Sequence, residues 1–240
     1  MLKNFSGFSV GLITLAALPA HAIEINDSTN AYLTINLLSD YRSNGMSQTQ
    51  GDPAVQSELS ILHDSGALLG FWASSVDFGT KTRLETGGYL GIFKQLNDDI
   101  SVTTTMGRYI YPKNSSYSLN EFYGALTYKN LKYTFIYDFA MEDAPNAKYQ
   151  YLGYTFSTPY DTSLLLEVGY HDVGEILYSS DGDTRNNYTT RKVSLKKNVV
   201  GIDWSVSYID TDLSKTECLY TVGTAESCSA GLVFGASKTF

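Results

Sequence analysis

Charge is scarce in this sequence, and basic charge scarcer still. Asp, Glu, Lys and Arg make up 18% of the 240 residues, and 17 basic against 25 acidic residues leave a net charge of −8. Soluble domains carry roughly 25% charged residues. No Lys/Arg cluster offsets the acidic balance, which excludes nucleic acid as a partner. Long apolar runs are missing too. Past residue 22 nothing approaches the ~20 apolar residues of a spanning helix, so a helical membrane protein is excluded. Histidine occurs three times, at His21, His63 and His171. Ser-His-acid catalysis needs three converging groups. His63 and Ser65 have the His-x-Ser spacing of a lipid-facing hydrolase pair but fall in a tight turn, so no enzyme is expected. No glycine-rich phosphate loop precedes a helix. Two cysteines with no nearby histidine leave a zinc site incomplete. No cofactor and no metal are therefore expected, and Asp181-Gly-Asp183 reads as a solvated loop tip ahead of a weak divalent-cation site.

Tyrosine and phenylalanine, by contrast, are abundant at 19 and 11. The N-terminus has Lys3, an apolar run from Phe8 to Leu18, Pro19, and a small-x-small site at Ala20-His21-Ala22. That is a cleaved signal peptide over residues 1–22, leaving 23–240 as one exported domain. In an oxidising compartment Cys218 and Cys228 read as one disulfide that pins a loop. The last stretch alternates strictly. Leu232, Phe234, Ala236, Lys238 and Phe240 share one face, and Val233, Gly235, Ser237 and Thr239 the other. A free final strand is a sticky edge, and a closed barrel removes it by pairing last with first. Ending on Phe240 resembles the C-terminal signature that the barrel-assembly machinery reads in bacterial outer-membrane barrels, with Lys238 where Tyr is more usual.

Alternating segments run over 31–42, 54–62, 67–76, 83–95, 100–111, 119–129, 132–140, 148–157, 163–172, 187–197, 201–210 and 231–240. Each is near the roughly 9–11 residues of a tilted spanning strand, and bacterial single-chain barrels have even strand numbers. The fold class is thus all-β: an up-and-down antiparallel transmembrane barrel of about 12 strands. Connections alternate short and long, as periplasmic turns and external loops do. Loops five (173–186) and six (211–230) read as the longest. Pro53, Pro112, Pro145 and Pro159 all avoid strand interiors, as residues without an N–H must. Two aromatic girdles are expected: Tyr109, Tyr111, Tyr149, Tyr151, Tyr170 and Tyr188 towards the loops, and Phe93, Tyr128, Tyr133, Phe156 and Phe240 towards the turns. Leu38, Leu62, Ile136 and Ile209 fall on the polar face and Arg108 on the apolar one, slips that a bulge would correct.

The polar faces place Asp40, Glu58, Glu85, Glu121, Asp138, Glu167 and Asp203 in the lumen against Arg42, Lys192 and Lys196. Acid rings favour cations. Twelve strands lie between side-chain-filled eight-stranded barrels and open sixteen-stranded porins, so a narrow lumen is expected.

A series of motifs marks the first third of the chain. Leu38-Ser-Asp-Tyr-Arg42 leads to Gly45-Met-Ser-Gln-Thr49, Pro53-Ala-Val-Gln56, His63-Asp-Ser-Gly66 and Trp72-Ala-Ser-Ser-Val-Asp77. In order and spacing this resembles the opening of the TorF, or Gcw_chp, family of Gram-negative outer-membrane proteins described as porins. Ser43-Asn44 stand where that family more typically has an aromatic–Arg pair. The resemblance implies a barrel with a channel and names no solute. The expected function is passive diffusion of small hydrophilic solutes across a Gram-negative outer membrane, weakly favouring cations. Lipid, those solutes and the assembly machinery are the expected partners. The alternative is a non-transporting barrel whose external loops bind partners.

Overall fold

The C-terminal segment finds partners on both edges. In the computed structural model, which describes residues 22–142 and 144–240, Gly231–Thr239 pairs antiparallel with Ile202–Thr211 on one side and Thr29–Leu38 on the other. The strands are β1 (Thr29–Leu38), β2 (Ala54–His63), β3 (Ala67–Ser75), β4 (Leu84–Asn97), β5 (Ile100–Ile110) and β6 (Leu119–Tyr128). They continue as β7 (Leu131–Phe139), β8 (Ala147–Thr158), β9 (Thr162–Tyr178), β10 (Thr184–Val199), β11 (Ile202–Thr211) and β12 (Gly231–Thr239). Each pairs with its neighbours in chain order, and β12 meets β1, which closes a 12-strand antiparallel barrel. A short strand, Ile23–Asn26, folds back on β1 and extends the seam. Phe240 completes it, exchanging backbone hydrogen bonds with Leu33 at 3.1 and 2.9 Å. The predicted signal peptide lies outside the described residues except for Ala22.

Period-two alternation separates the two faces. Val55, Leu90, Val168, Leu232 and Phe234 point outward and are more than half exposed. In water such a surface would drive association, whereas in a bilayer it meets acyl chains. The inner face is packed. Trp72, Tyr89, Tyr109, Tyr149, Tyr188 and Ile136 are all buried inside the cylinder. Backbone accommodates them: a Cβ on Gly70 would lie 2.1 Å from Cζ of Tyr89, so only glycine lets that ring lie flat on β3.

Several expectations need correction. Tyr109, Tyr111, Tyr149, Tyr151 and Tyr188 do not form a girdle but point inward, and of the six only Tyr170 faces out. At the turn end Tyr128, Tyr133, Phe156 and Phe240 do face out, while Phe93 alternates with exposed Leu90 and Ile92 and turns in. No bulge rescues the misplaced apolar residues. The β1–β2 ladder is continuous through Leu38 and Leu62, and Ile136 sits in unbroken register between Tyr123 and Tyr149. These side chains belong inside because the lumen is filled with aromatic and aliphatic groups as well as polar ones. Arg108 does point outward, bonded to Asn120 at 3.1 Å.

β9 and β10 run well past their expected ends, so loop five shrinks to the tip 179–183. The first strand ends at Leu38 and not at 42, which makes the first loop (39–53) and the sixth (212–230) the longest. Loop six holds the helix α1 (Lys215–Val222), capped by a reciprocal Ser214–Glu217 box and ended by Gly223 at φ 81°.

Candidate functional site

Asn44-Gly45 is the sequence of a two-residue hairpin turn, because both positions need φ > 0. Here they have φ 50° and 83°, and Arg42–Ser43 pairs with Met46–Ser47 across them. The resulting hairpin does not stand up from the rim. It folds into the bore, with residues 43–49 all buried.

Asp40 holds its base. Its carboxylate accepts from Arg42 Nε at 2.6 Å, Ser47 Oγ at 2.5 Å and Thr49 Oγ1 at 3.1 Å. Gln48 carbonyl accepts from Asp77 N at 2.8 Å, tying the hairpin to the second loop. Two further bonds tie it to loop six: Ser47 N donates to Ser227 O at 2.8 Å, and Arg42 Nη1 donates to Ser229 O at 2.6 Å. The tip crosses to the opposite wall. Tyr151 on β8 donates its hydroxyl to Asn44 Oδ1, and Tyr188 on β10 donates to Asn44 O at 2.9 Å.

Loop six is itself clamped. Cys218 and Cys228 form a disulfide, and both pack in one buried cluster with Met46, Val173, Leu177 and Tyr188. Arg185 holds the helix by a two-pronged contact to Glu217 at 2.6 and 2.9 Å. Burial opposes ionisation of Glu217, but the Arg185 guanidinium and the Ser214 bonds outweigh it and hold the carboxyl below its ordinary 4.5.

The predicted lumen residues separate into groups. Glu58 (β2), Glu85 (β4), Glu121 (β6) and Asp138 (β7) lie inside the barrel and are at most 7% exposed. Glu58 accepts from the Tyr89 hydroxyl and Glu85 from Trp72 Nε1 at 2.9 Å, while Glu121 and Asp138 are directly opposed across β6 and β7. Among the described residues Glu58, Glu85 and Glu121 have no Lys or Arg in salt-bridge contact. Asp40 and Arg42 belong to the inserted hairpin and not to a strand of the barrel wall. Glu167 (β9) and Lys192 (β10) are cross-strand neighbours in mid-barrel, and Lys196 pairs with Asp203 at 2.6 Å near the turn end. Acid therefore occupies an arc from β2 to β7, and the β10 lysines stand across the bore from it.

Beneath the hairpin tip lies a cavity of about 60 Å³, bordered by Asn44, Gly45, Tyr123, Tyr151, Glu167 and Lys192. That volume holds a few waters. His63 bonds to Ser65 Oγ at 2.8 Å in its turn, and His171 is stacked on Tyr188 and bonded to Thr190 Oγ1 at 2.9 Å. Asp181 accepts from Asp183 N at 3.3 Å within the loop-five tip.

Sequence reasoning assigned Tyr151 to a girdle, noted Asn44 only as a departure from the family pattern, and passed over Tyr123 and Lys132. Lys132 has the parity of inward Thr134 and Asp138, and its ammonium sits 5.9 Å from the Tyr123 ring centre. The Asn-Gly pair was a readable hairpin, though nothing in it says which way the hairpin folds.

No curated protein matches the sequence. Among solved structures, the KdgM porin aligns with a TM-score of 0.54 at 11% identity, over 87% of this chain and 99% of that one. The KdgM porin in complex with disordered oligogalacturonate aligns at 0.54 and 10%, over 88% and 99%. The NanC porin aligns at 0.54 and 13%, over 86% and 98%. At such identities the likeness is one of fold. Residues 26–240 match the family model described as "Bacterial protein of unknown function (Gcw_chp)", and the chain belongs to that family.

Proposed function

We propose that this barrel is an outer-membrane channel for passive diffusion of small hydrophilic solutes, with a narrow lumen and a weak preference for cations. The observation that carries this reading is the acid arc. Three glutamates and an aspartate are buried on the inner wall, where an unneeded charge costs several kcal/mol. A barrel that served only as a scaffold would fold better with apolar residues there. The shared fold with porins supports the reading, as does the apolar outer belt. One of those porins is described in complex with oligogalacturonate, an acidic sugar. An acid-rich lumen argues for a different solute here. The loops would face outward from the cell and the turns the periplasm. Phe240 would serve as the strand-end signal for barrel assembly, following export under the N-terminal peptide.

Purified protein in planar bilayers should conduct in small steps, with reversal potentials in a KCl gradient shifted towards the K⁺ potential. Silent bilayers at high protein load would overturn the proposal.

A second reading has its own support. The hairpin fills the loop half of the bore, and Ile176, Tyr178 and Tyr220 are more than half exposed at the loop end. A non-transporting barrel that binds partners through its loops would look like this. Deletion would then leave solute uptake unchanged and alter surface adhesion.

A further inference from the structure

Asn44 is 4% exposed and held on two sides, its Oδ1 by Tyr151 and its carbonyl by Tyr188. Its Nδ2 has no acceptor among the described residues, and the side chain borders the cavity under the hairpin. The nitrogen itself is sealed from that cavity, so Asn44 gives the space a fixed roof and no donor. Glu167 and Lys192 border the same cavity. They face each other across β9 and β10, yet among the described residues neither is in a salt bridge. Arg42, also at the edge, is already neutralised by Asp40 at 2.6 Å.

We infer that this cavity is a subsite for small zwitterions of the α-amino-acid type. Lys192 takes the carboxylate and Glu167 takes the ammonium, with the Asn44 side chain closing the space above them. The inference rests on the channel reading and narrows its solute class. The charges decide it. A simple anion entering here meets Glu167, a simple cation meets Lys192, and a neutral polyol leaves both charges partly stripped of water with nothing in exchange. A zwitterion satisfies both. An aromatic side chain, Tyr151, borders the cavity as well and suits the cationic end. The cavity volume of about 60 Å³ restricts the site to the smallest members of the class.

The test compares glycine, acetate, ethylammonium and glycerol, four probes of similar size. Permeation into proteoliposomes is measured after KCl conductance has shown the channel to be open. Glycine should enter fastest and should saturate. Lys192→Met should remove the advantage of glycine over ethylammonium, and Glu167→Gln that over acetate, each by about tenfold. If KCl passes but the four probes enter at rates set by size alone, the subsite is refuted while the channel stands. If the bilayers are silent, the channel reading falls. Saturation-transfer NMR of glycine with the detergent-folded barrel then decides the subsite: a glycine signal that Lys192→Met and Glu167→Gln each abolish upholds it, and no signal, or one that both variants keep, refutes it. Heat-modifiable migration on gels confirms that each variant is folded.

Discussion

The disulfide in loop six should control how often the bore opens. Cys218 and Cys228 are ten residues apart, and closing a loop of that size restricts the reduced chain by about 2.7 kcal/mol on the chain-entropy model. The segment they fix is the one that holds the hairpin. Ser227 and Ser229 flank Cys228 and accept from Ser47 N and Arg42 Nη1, and Met46 packs against both sulfurs' residues. Releasing the clamp transfers that entropy to the anchored state of the hairpin, so its release constant rises by up to about 100-fold, at 1.4 kcal/mol per decade. Single-channel recordings read this directly as the fraction of time spent in a larger-conductance state. Oxidised protein, the same protein after reduction, and the Cys218→Ser/Cys228→Ser variant should rank in that order or with the last two equal. The barrel itself is closed by backbone ladders far from the loop, so heat-modifiable migration should not change. An unaltered open fraction, with two free thiols confirmed by titration, would refute the reasoning.

Other consequences follow from single contacts. Asp40→Asn weakens three bonds at the hairpin base and should raise mean conductance while the melting midpoint of the barrel stays put, as circular dichroism would show. Gly70→Ala drives a Cβ into Tyr89 and should cost about 1–3 kcal/mol in urea unfolding from lipid vesicles, with Tyr89→Ala in the same chain relieving the clash. Glu217 is held below 4.5 by Arg185, so its stabilisation of loop six is full above that value and is lost as pH falls through the lower folded value. Open fraction should therefore rise on acidification below about pH 4.5, and Glu217→Gln should flatten that dependence.

The barrel was legible because period two is a local rule. Each residue's face follows from its neighbours, and twelve such segments with polar punctuation leave few other architectures. Even the tyrosine error was avoidable on this rule: Tyr109 follows Arg108, already placed on the apolar face, and so had to face in. The helix in loop six went unread, although Ser214-Lys-Thr-Glu217 is a capping box. What the pattern could not carry was anything spanning the bore. Asn44 meets Tyr151 and Tyr188 from residues 107 and 144 positions away, and that contact depends on a hairpin folding in when folding out satisfies the same turn. Lys132 was missed for a smaller reason, because it is the second residue of its strand, beside a turn, where face is easily misjudged.

The hairpin also changes what the wall presents to a passing ion. Tyr41, at its base, packs with Trp72, Tyr109 and Tyr111 over the region where Glu85 and Glu121 are sealed. With the hairpin in place, the cavity beneath it is bordered by Glu167 and Lys192, one charge of each sign. With it withdrawn, water reaches Glu85, Glu121 and Asp138, and Arg42 leaves the bore. Three carboxylates then line a path that has lost one cation, and a low-dielectric wall strengthens their field. Conductance and selectivity should therefore move together. A variant with residues 41–48 replaced by a short glycine-serine link should carry more current, and its reversal potential in a KCl gradient should lie closer to the K⁺ potential than that of the intact protein. Larger current at unchanged reversal potential would mean that the acids stay sealed by the tyrosines alone. The hairpin would then set the width of the path without setting its charge.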